Sequence, residues 1–155
     1  MAKKNGYILA ILAGIIGIIC LIAPVAYHSS ILGDAYVWMW GLSSYEPVIG
    51  DTDYHFNDNG DYLVWGLTAT FLIVIATILL ISSGIKAHKR NKSSGVLWIF
   101  CGLLLIAAPI IYYVGLLEVY SDWAVELFWD FYDFHFAFYG PFIAGALAII
   151  GGAIK

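Results

Sequence analysis

The chain has 155 residues, of which 62% are hydrophobic and only 12% are charged, and its mean hydropathy is +0.87. Soluble globular domains contain roughly 45–50% apolar and about 25% charged residues, so this composition excludes a soluble domain and indicates an integral membrane protein. The net charge of −4 gives no support to nucleic-acid binding.

Four apolar segments divide the chain, and each is close to the ~20 residues that cross ~30 Å of hydrocarbon as an α-helix. We predict spans at about 6–27, 62–83, 95–117 and 135–154, with outer loops 28–61 and 118–134 and an inner loop 84–94. The first segment is longer than a signal-peptide core, so we expect a retained helix, with cleavage as the alternative. The fold predicted is a single all-α domain, 1–155, built as a four-transmembrane-helix bundle.

The charges are segregated along the chain. All seven basic residues lie near the N-terminus, in the 84–94 link or at the last residue, whereas all eleven acidic residues lie in the two other loops. The positive-inside rule therefore predicts a multi-pass cell-membrane protein with both termini in the cytoplasm and an acidic outer face. No charged side chain lies firmly inside a predicted span, which argues against transport by a proton relay.

A faint internal repeat relates the first and third spans. Residues 17–27 align without a gap with residues 102–112, which matches Pro24 with Pro109 and Tyr27 with Tyr112. The match predicts two repeated helical hairpins, with chance similarity between short apolar segments as the alternative. Both prolines lie near the outer ends, where they would kink or terminate a helix.

Small residues recur every four positions in two of the spans. They are Gly140, Ala144, Ala148 and Gly152 in the last span, and Gly6, Ala10 and Gly14 in the first. Such ridges let helix backbones approach closely, either within the chain or between copies. We expect them to pack mainly within the chain.

The first outer loop contains alternating aromatic residues at Tyr36, Trp38 and Trp40, which is typical of a β-strand. The sequence Asp-Asn-Gly-Asp at 58–61 favours a two-residue hairpin turn, with Tyr54 and Phe56 before it and Tyr62 and Val64 after it. We therefore predict a small outer β-element. An irregular loop with its aromatic rings in the headgroup layer is the alternative.

The second outer loop has the spacing of an amphipathic helix. Five carboxylates recur at intervals of three or four: Glu118, Asp122, Glu126, Asp130 and Asp133. Across from them lie Trp123, Leu127, Phe128, Phe131 and Phe134. The helix would begin after an N-cap at Ser121 or Asp122, and it would lie in the interface or extend the last span through a kink at Gly140-Pro141. Its acidic face is a solvated surface, or a surface that attracts cations or docks a partner.

Two histidines suggest a transition-metal site. His28 and His135 flank the outer ends of the first and last spans, and His55 and Asp133 could lie near them. Imidazole with carboxylate suits zinc or copper, whereas isolated histidines near headgroups usually form hydrogen bonds only. Residues 55–60 also resemble the start of a calcium loop, without its first acid and its closing glutamate.

Motifs for enzyme chemistry are missing from the sequence. It contains no Gly-x-Ser-x-Gly, no His-Glu-x-x-His, no phosphate-binding glycine-rich loop and no Cys-x-x-Cys. Its two cysteines, Cys20 and Cys101, both lie in apolar segments. We therefore expect neither an enzyme nor a bound cofactor.

The first outer loop carries Trp38, Trp40, Gly41 and Leu42. With four predicted helices, cytoplasmic termini and a first outer loop longer than the second, this pattern resembles the claudin-like tetraspan family. In that family a tryptophan follows the Gly-Leu pair and two loop cysteines form a disulfide; here Ser43 stands in the tryptophan position and the loop has no cysteine. The resemblance implies a four-helix bundle capped by a small outer sheet, association through the outer loops, and control of ion passage by loop carboxylates.

These features together predict a non-enzymatic membrane protein that acts by association through its acidic, aromatic outer loops. Its expected partners are the lipid bilayer, other copies of the chain or other membrane proteins, and cations at the outer face. The residues expected to bind partners or cations are Glu118, Asp122, Glu126, Asp130, Asp133, Trp38 and Trp40. The alternatives are a cation-selective, channel-like oligomer and an accessory subunit of a larger membrane enzyme that lends His28 or His135 to a metal.

Overall fold

The computed structural model describes residues 5–90 and 94–154 of the chain. These residues form five α-helices and five short β-strands. In chain order they are α1 (Gly6–Ile22), β1 (Ala26–Ser30), β2 (Gly33–Val37), β3 (Leu42–Pro47), β4 (Asp53–Phe56), α2 (Gly60–Arg90), α3 (Gly95–Val119), α4 (Asp122–Phe131), β5 (Asp133–Phe134) and α5 (Phe136–Ala153).

Three of the helices, α2, α3 and α5, are long and apolar enough to cross a membrane. The remaining apolar helix, α1, has 17 residues and is shorter than the predicted first span, 6–27. Its early end has a local cause: the residue before a proline is disfavoured in the helical conformation, and Ala23 before Pro24 is extended, with ψ at 150°. The predicted outer end of this span is instead the start of β1.

Helix α2 overturns the predicted hairpin turn at 58–61. The Asn59 side-chain oxygen accepts hydrogen bonds from the backbone N–H groups of Asp61 and Tyr62, at 3.0 and 3.3 Å. Asn59 is therefore a helix N-cap, and Tyr62 and Val64 are helical rather than part of a strand. The long apolar pattern that follows the Asn-Gly pair outweighs the turn preference of that pair. At its other end α2 continues through Arg90, into the predicted inner loop 84–94, of which 91–93 lie outside the described residues.

The small β-element expected in the first loop is present, as part of a five-stranded antiparallel sheet. The strand order is β4-β3-β2-β1-β5, so the first loop supplies four strands and the second loop adds β5 at one edge. β5 pairs with β1 through Ala26 opposite Phe134 and Tyr27 opposite Asp133. The predicted aromatic strand is shorter than expected, because β2 ends at Val37 and both Trp38 and Trp40 lie in the turn before β3.

The helix predicted in the second loop is present as α4, after the expected N-cap Ser121. It is separate from α5, because β5 and His135 lie between the two helices. It therefore does not extend the last span. Pro141 lies inside α5, as Pro109 lies inside α3, and both helices continue beyond their proline.

Helices α1, α2, α3 and α5 pack side by side, with α2 and α5 each touching both α1 and α3. The small-residue ridge of α5 fits between α1 and α3, and its residues Ala144 and Ala148 are fully buried. Gly151 lies against Gly6 of α1, and Gly145 lies against Gly102 of α3. The expectation that the ridges pack within the chain is thus confirmed.

The two segments of the internal repeat occupy different surroundings. Gly17 lies against Thr77 of α2, whereas the aligned Gly102 lies against Gly145 of α5. Past the aligned prolines the chain enters β1 in one case and remains in α3 in the other. Similar sequences therefore perform different structural tasks here.

The glycine contact between α3 and α5 predicts a specific stability loss. A Cβ on Gly102 would lie 2.6 Å from the Gly145 carbonyl oxygen and 2.7 Å from the Ile149 side chain. Because one of these neighbours is backbone, Gly102→Ala must push the helices apart, and we expect it to lower the free energy of unfolding by about 1–3 kcal/mol. Thermal unfolding in mild detergent measures the effect.

The matched control is Gly60→Ala at the start of α2, where a Cβ meets no atom within 4 Å. It should leave the unfolding midpoint unchanged or slightly raised. If both alanine variants unfold at the wild-type temperature, the close approach of α3 and α5 is not a constraint on the fold.

Candidate functional site

The residues predicted to act lie almost entirely in one unit, which we call the sheet assembly: the five strands, α4, and the segments that join them, 23–59 and 120–135. This unit contains no lysine or arginine. It lies at the ends of the helices where α1 stops and α2 begins. The way it is fixed to those helices determines which of its surfaces can meet a partner.

The turn between β2 and β3 attaches the sheet assembly to α1. The indole N–H of Trp38 donates to the Ile22 carbonyl at 2.7 Å, and the indole N–H of Trp40 donates to the Leu21 carbonyl at 3.3 Å. The last carbonyls of a helix have no partner within the helix. The two tryptophans therefore satisfy the end of α1, and each uses its single N–H donor to do so.

The same turn also rests on α2. The carbonyl of the buried Met39 lies directly against Gly66, where a side chain would leave no room for it. Gly41 adopts φ +103°, and a Cβ there would lie 2.6 Å from the Leu63 side chain. Glycine is thus required at Gly41 both for the turn and for the contact. Trp38 and Trp40, which we expected to bind partners, occur here as anchors of the sheet.

The five predicted carboxylates are all exposed, but they do not share one helix. Only Asp122, Glu126 and Asp130 belong to α4; Glu118 is near the end of α3 and Asp133 is in β5. The prediction that one helix carries all five carboxylates is therefore wrong. The reason is the break in the helix at Tyr120 and Ser121, whose backbones are extended.

Only some of the apolar side chains in and next to α4 are packed against the rest of the protein. Val125 is buried, and Phe128, Trp129 and Tyr132 are half-buried. Trp123 and Phe131, predicted to lie across from the carboxylates, are 69% and 58% exposed. An apolar surface of α4 therefore lies open beside its acidic one.

Acidic side chains also face each other across the sheet. Asp34 of β2 is paired directly with Glu46 of β3, which places two like charges on adjacent strands. The Tyr27 hydroxyl donates to Asp34 at 3.2 Å. Partial desolvation, followed by the nearby Asp34 and Glu46 carboxylates, raises the pKa of the Tyr36 phenol. The carboxylates of this face thus add to the effect of desolvation on Tyr36.

An exposed apolar surface lies at the end of the sheet far from the helices, and sequence reasoning missed it. We call it the aliphatic tip; it consists of Ile31, Leu32, Val48 and Ile49, which are 93%, 69%, 70% and 92% exposed. The Val48 N–H donates to the Leu32 carbonyl at 3.1 Å, so the two turns are joined. The available signal was two aliphatic pairs, each followed directly by a glycine, Gly33 or Gly50.

The predicted metal ligands are placed as follows. A ring nitrogen of His28 hydrogen-bonds the Phe131 carbonyl, and the His135 ring lies 6.0 Å from the Tyr27 ring. His55 is in β4, at the sheet edge opposite β5, so it is separated from His28 in β1 rather than near it as predicted. Within residues 5–90 and 94–154, no three His, Cys, Asp or Glu side chains could hold a metal ion together.

Comparison with known proteins assigns no family to this chain. No protein-family model matches it, and no curated protein matches it either. The function therefore has to be inferred from the sheet assembly and the helices that carry it.

The anchoring role of Trp38 can be tested with a variant that keeps an aromatic ring but lacks the N–H. Trp38→Phe leaves the Ile22 carbonyl without its donor, which should cost about 1 kcal/mol. We expect faster amide hydrogen exchange in β2 and β3, measured by mass spectrometry in detergent. Trp123→Phe, at a site 69% exposed, should exchange as the wild type does. Unchanged exchange in Trp38→Phe would contradict the anchoring role.

Proposed function

We propose that this chain is a non-enzymatic, multi-pass membrane protein that acts by association through its sheet assembly. The observation that carries the proposal is the aliphatic tip, where Ile31 and Ile49 are each more than nine-tenths exposed. Large apolar side chains that share an exposed patch away from lipid typically mark a surface that binds a partner. The tip is held by two joined turns on an anchored sheet, so it is presented in a defined shape.

The proposal includes α1 as a fourth span. At ~1.5 Å per residue a 17-residue helix is about 26 Å long, slightly less than ~30 Å of hydrocarbon. Apolar side chains remain exposed along it, as on the longer helices, among them Ile8, Ile15 and Ile22. The indole N–H groups of Trp38 and Trp40 supply hydrogen bonds to the last turn of α1, which a helix end near lipid requires.

The charge distribution supports an orientation for these spans. Asp61 and Lys86 lie 25 residues apart on α2, which corresponds to about 37 Å along the helix. The acidic and basic ends of α2 are thus farther apart than the ~30 Å thickness of the hydrocarbon layer. By the positive-inside rule we place both termini in the cytoplasm and the sheet assembly outside the cell membrane.

The sheet assembly also supports the claudin-like resemblance as part of this proposal. A five-stranded sheet seated on four packed helices agrees with the architecture that the resemblance implies. The Trp38, Trp40 and Gly41 positions that carry the resemblance occupy the turn that joins sheet and helices. The association expected on this basis involves copies of the chain or other membrane proteins.

The test targets the aliphatic tip. Two differently tagged copies are reconstituted in the same vesicles and in separate vesicles, and their association is followed by co-purification and by vesicle clustering. Ile31→Ser with Ile49→Ser removes the two most exposed aliphatic side chains and should reduce association at least about tenfold. Val96→Ser, at a residue 76% exposed at the opposite end of α3, is the matched control.

We expect the control to associate as the wild type does. Wild-type association by the double serine variant, in both vesicle arrangements, would contradict a role for the tip in binding another copy. We expect stronger association between two copies at high salt, since salt screens the repulsion between their acidic sheet assemblies.

Cation conduction by an oligomer is the second candidate, and the exposed carboxylates of α4 favour it. Rings of such groups attract cations to a pore. Neutralising two of them in Glu126→Gln with Asp130→Asn should then reduce cation selectivity in planar bilayers by several-fold. Asp53→Asn on the edge strand β4 serves as the control. Conductance that is absent, or identical in all three proteins, removes this candidate.

A further inference from the structure

A cavity of about 420 Å³ lies where the sheet assembly meets the helices. Its walls come from β2 and β3 on one side and from α2, α3 and α4 on the others. This volume is within the range of small-molecule sites, which is roughly 300–1,000 Å³. The function proposed above makes no use of it.

The walls of the cavity are mostly aromatic and uncharged. Five rings line it: Tyr62, Tyr112, Tyr120, Phe128 and Tyr132. The other described lining residues are aliphatic, apart from the neutral side chains of Ser43 and Asn57, and none carries a charge. Filling such a space with water costs free energy, because water needs polar partners that most of this wall lacks. The lining therefore favours an uncharged, largely apolar occupant.

Two buried tyrosine hydroxyls of the lining leave one hydrogen-bond donor unused. The hydroxyls of Tyr62 and Tyr112 lie 3.0 Å apart, and both side chains are at least 95% buried, with exposures of 5% and 1%. Two hydroxyls carry two protons, and one hydrogen bond between them uses only one. Neither hydroxyl has another partner in the part of the chain that the structure describes. One buried O–H is thus left to donate.

Ser43 and Asn57 are the non-aromatic polar side chains of the lining, and they differ in what they leave unused. Ser43 already donates its hydroxyl proton to the His55 carbonyl at 3.3 Å. The Asn57 side-chain oxygen already accepts from the Asn59 N–H at 2.9 Å, which leaves the amide nitrogen of Asn57 as its unused donor. An occupant that supplies an acceptor would satisfy the unused tyrosine O–H or the Asn57 amide, whereas an unmet buried donor is costly.

We propose that this cavity binds an uncharged, ring-containing, lipid-soluble molecule whose carbonyl oxygen accepts the unused proton of the Tyr62–Tyr112 pair. Aromatic walls provide stacking surfaces for the ring. The same walls could attract a quaternary ammonium ion by cation–π contact. The carbonyl compound is favoured because a cation cannot accept the hydroxyl proton.

The test compares two probes that differ in the acceptor. The full chain in mild detergent is titrated with menadione, a methylated naphthoquinone, and with 2-methylnaphthalene, which has the same rings without carbonyls. Isothermal titration calorimetry records binding, with empty micelles as the reference. We expect menadione to bind the wild type about tenfold more tightly than 2-methylnaphthalene, the difference that one hydrogen bond supplies.

The variant Tyr62→Phe with Tyr112→Phe removes both hydroxyls and keeps both rings, so it should lose the preference for menadione and retain the binding of 2-methylnaphthalene. Both hydroxyls must be removed, because either one alone could still donate. Tyr139→Phe, on the exposed side of α5, should behave as the wild type does. Thermal unfolding of each variant verifies that it is folded.

Several results would overturn the proposal. One is equal binding of the two probes by the wild type, and another is a preference for menadione that persists in the double phenylalanine variant. Absence of menadione binding, or binding of tetramethylammonium in its place, would also overturn it. Each result is independent of the association assay, so the cavity proposal and the proposed function can fail separately.

Discussion

The attachment of the β2–β3 turn to the ends of two helices is the contact on which the functional surfaces depend. Trp38 and Trp40 satisfy the last carbonyls of α1, while the backbone of Met39 rests on Gly66 of α2. Packing against helices stabilises a sheet of short strands such as this one. Because the turn fixes one end of the sheet, the opposite end, with Ile31 and Ile49, is held away from the helices. The cavity lies beneath the same sheet.

The four packed helices follow a different constraint, because the proposed membrane setting leaves no water around them. Side chains gain little by leaving lipid for another helix, so close packing depends on small residues that let backbones meet. Gly145 and Gly151 of α5 meet Gly102 of α3 and Gly6 of α1 in this way. Charged groups lie at the ends of the helices, as on α2, where Asp61 is near the start and Lys86 is near the other end. The packed helices therefore provide a fixed support for the sheet assembly.

The sequence predicted the helices, the small-residue ridges and the β-element, because hydropathy and spacing report them directly. It failed where two local signals competed: Asn59-Gly60 reads as a hairpin turn but caps α2, and Pro24 ends a helix whose apolar run continues. The sheet order and the Tyr62–Tyr112 contact depend on residues far apart in the chain, which periodicity does not relate. The aliphatic tip was not predicted, because two short aliphatic pairs do not stand out in a sequence that is largely apolar.

Association through the sheet assembly is the central claim, and the mass of the particle extracted from its own membrane tests it most directly. The measurement uses mild detergent, light scattering corrected for the micelle, and identification of every chain that co-purifies. We predict a particle heavier than the 17.1 kDa chain, either with several copies or with a fixed ratio of another membrane protein. A fixed ratio to larger enzyme subunits would assign the chain to that complex. A particle that contains one copy and no other protein, in every mild detergent, would contradict the account.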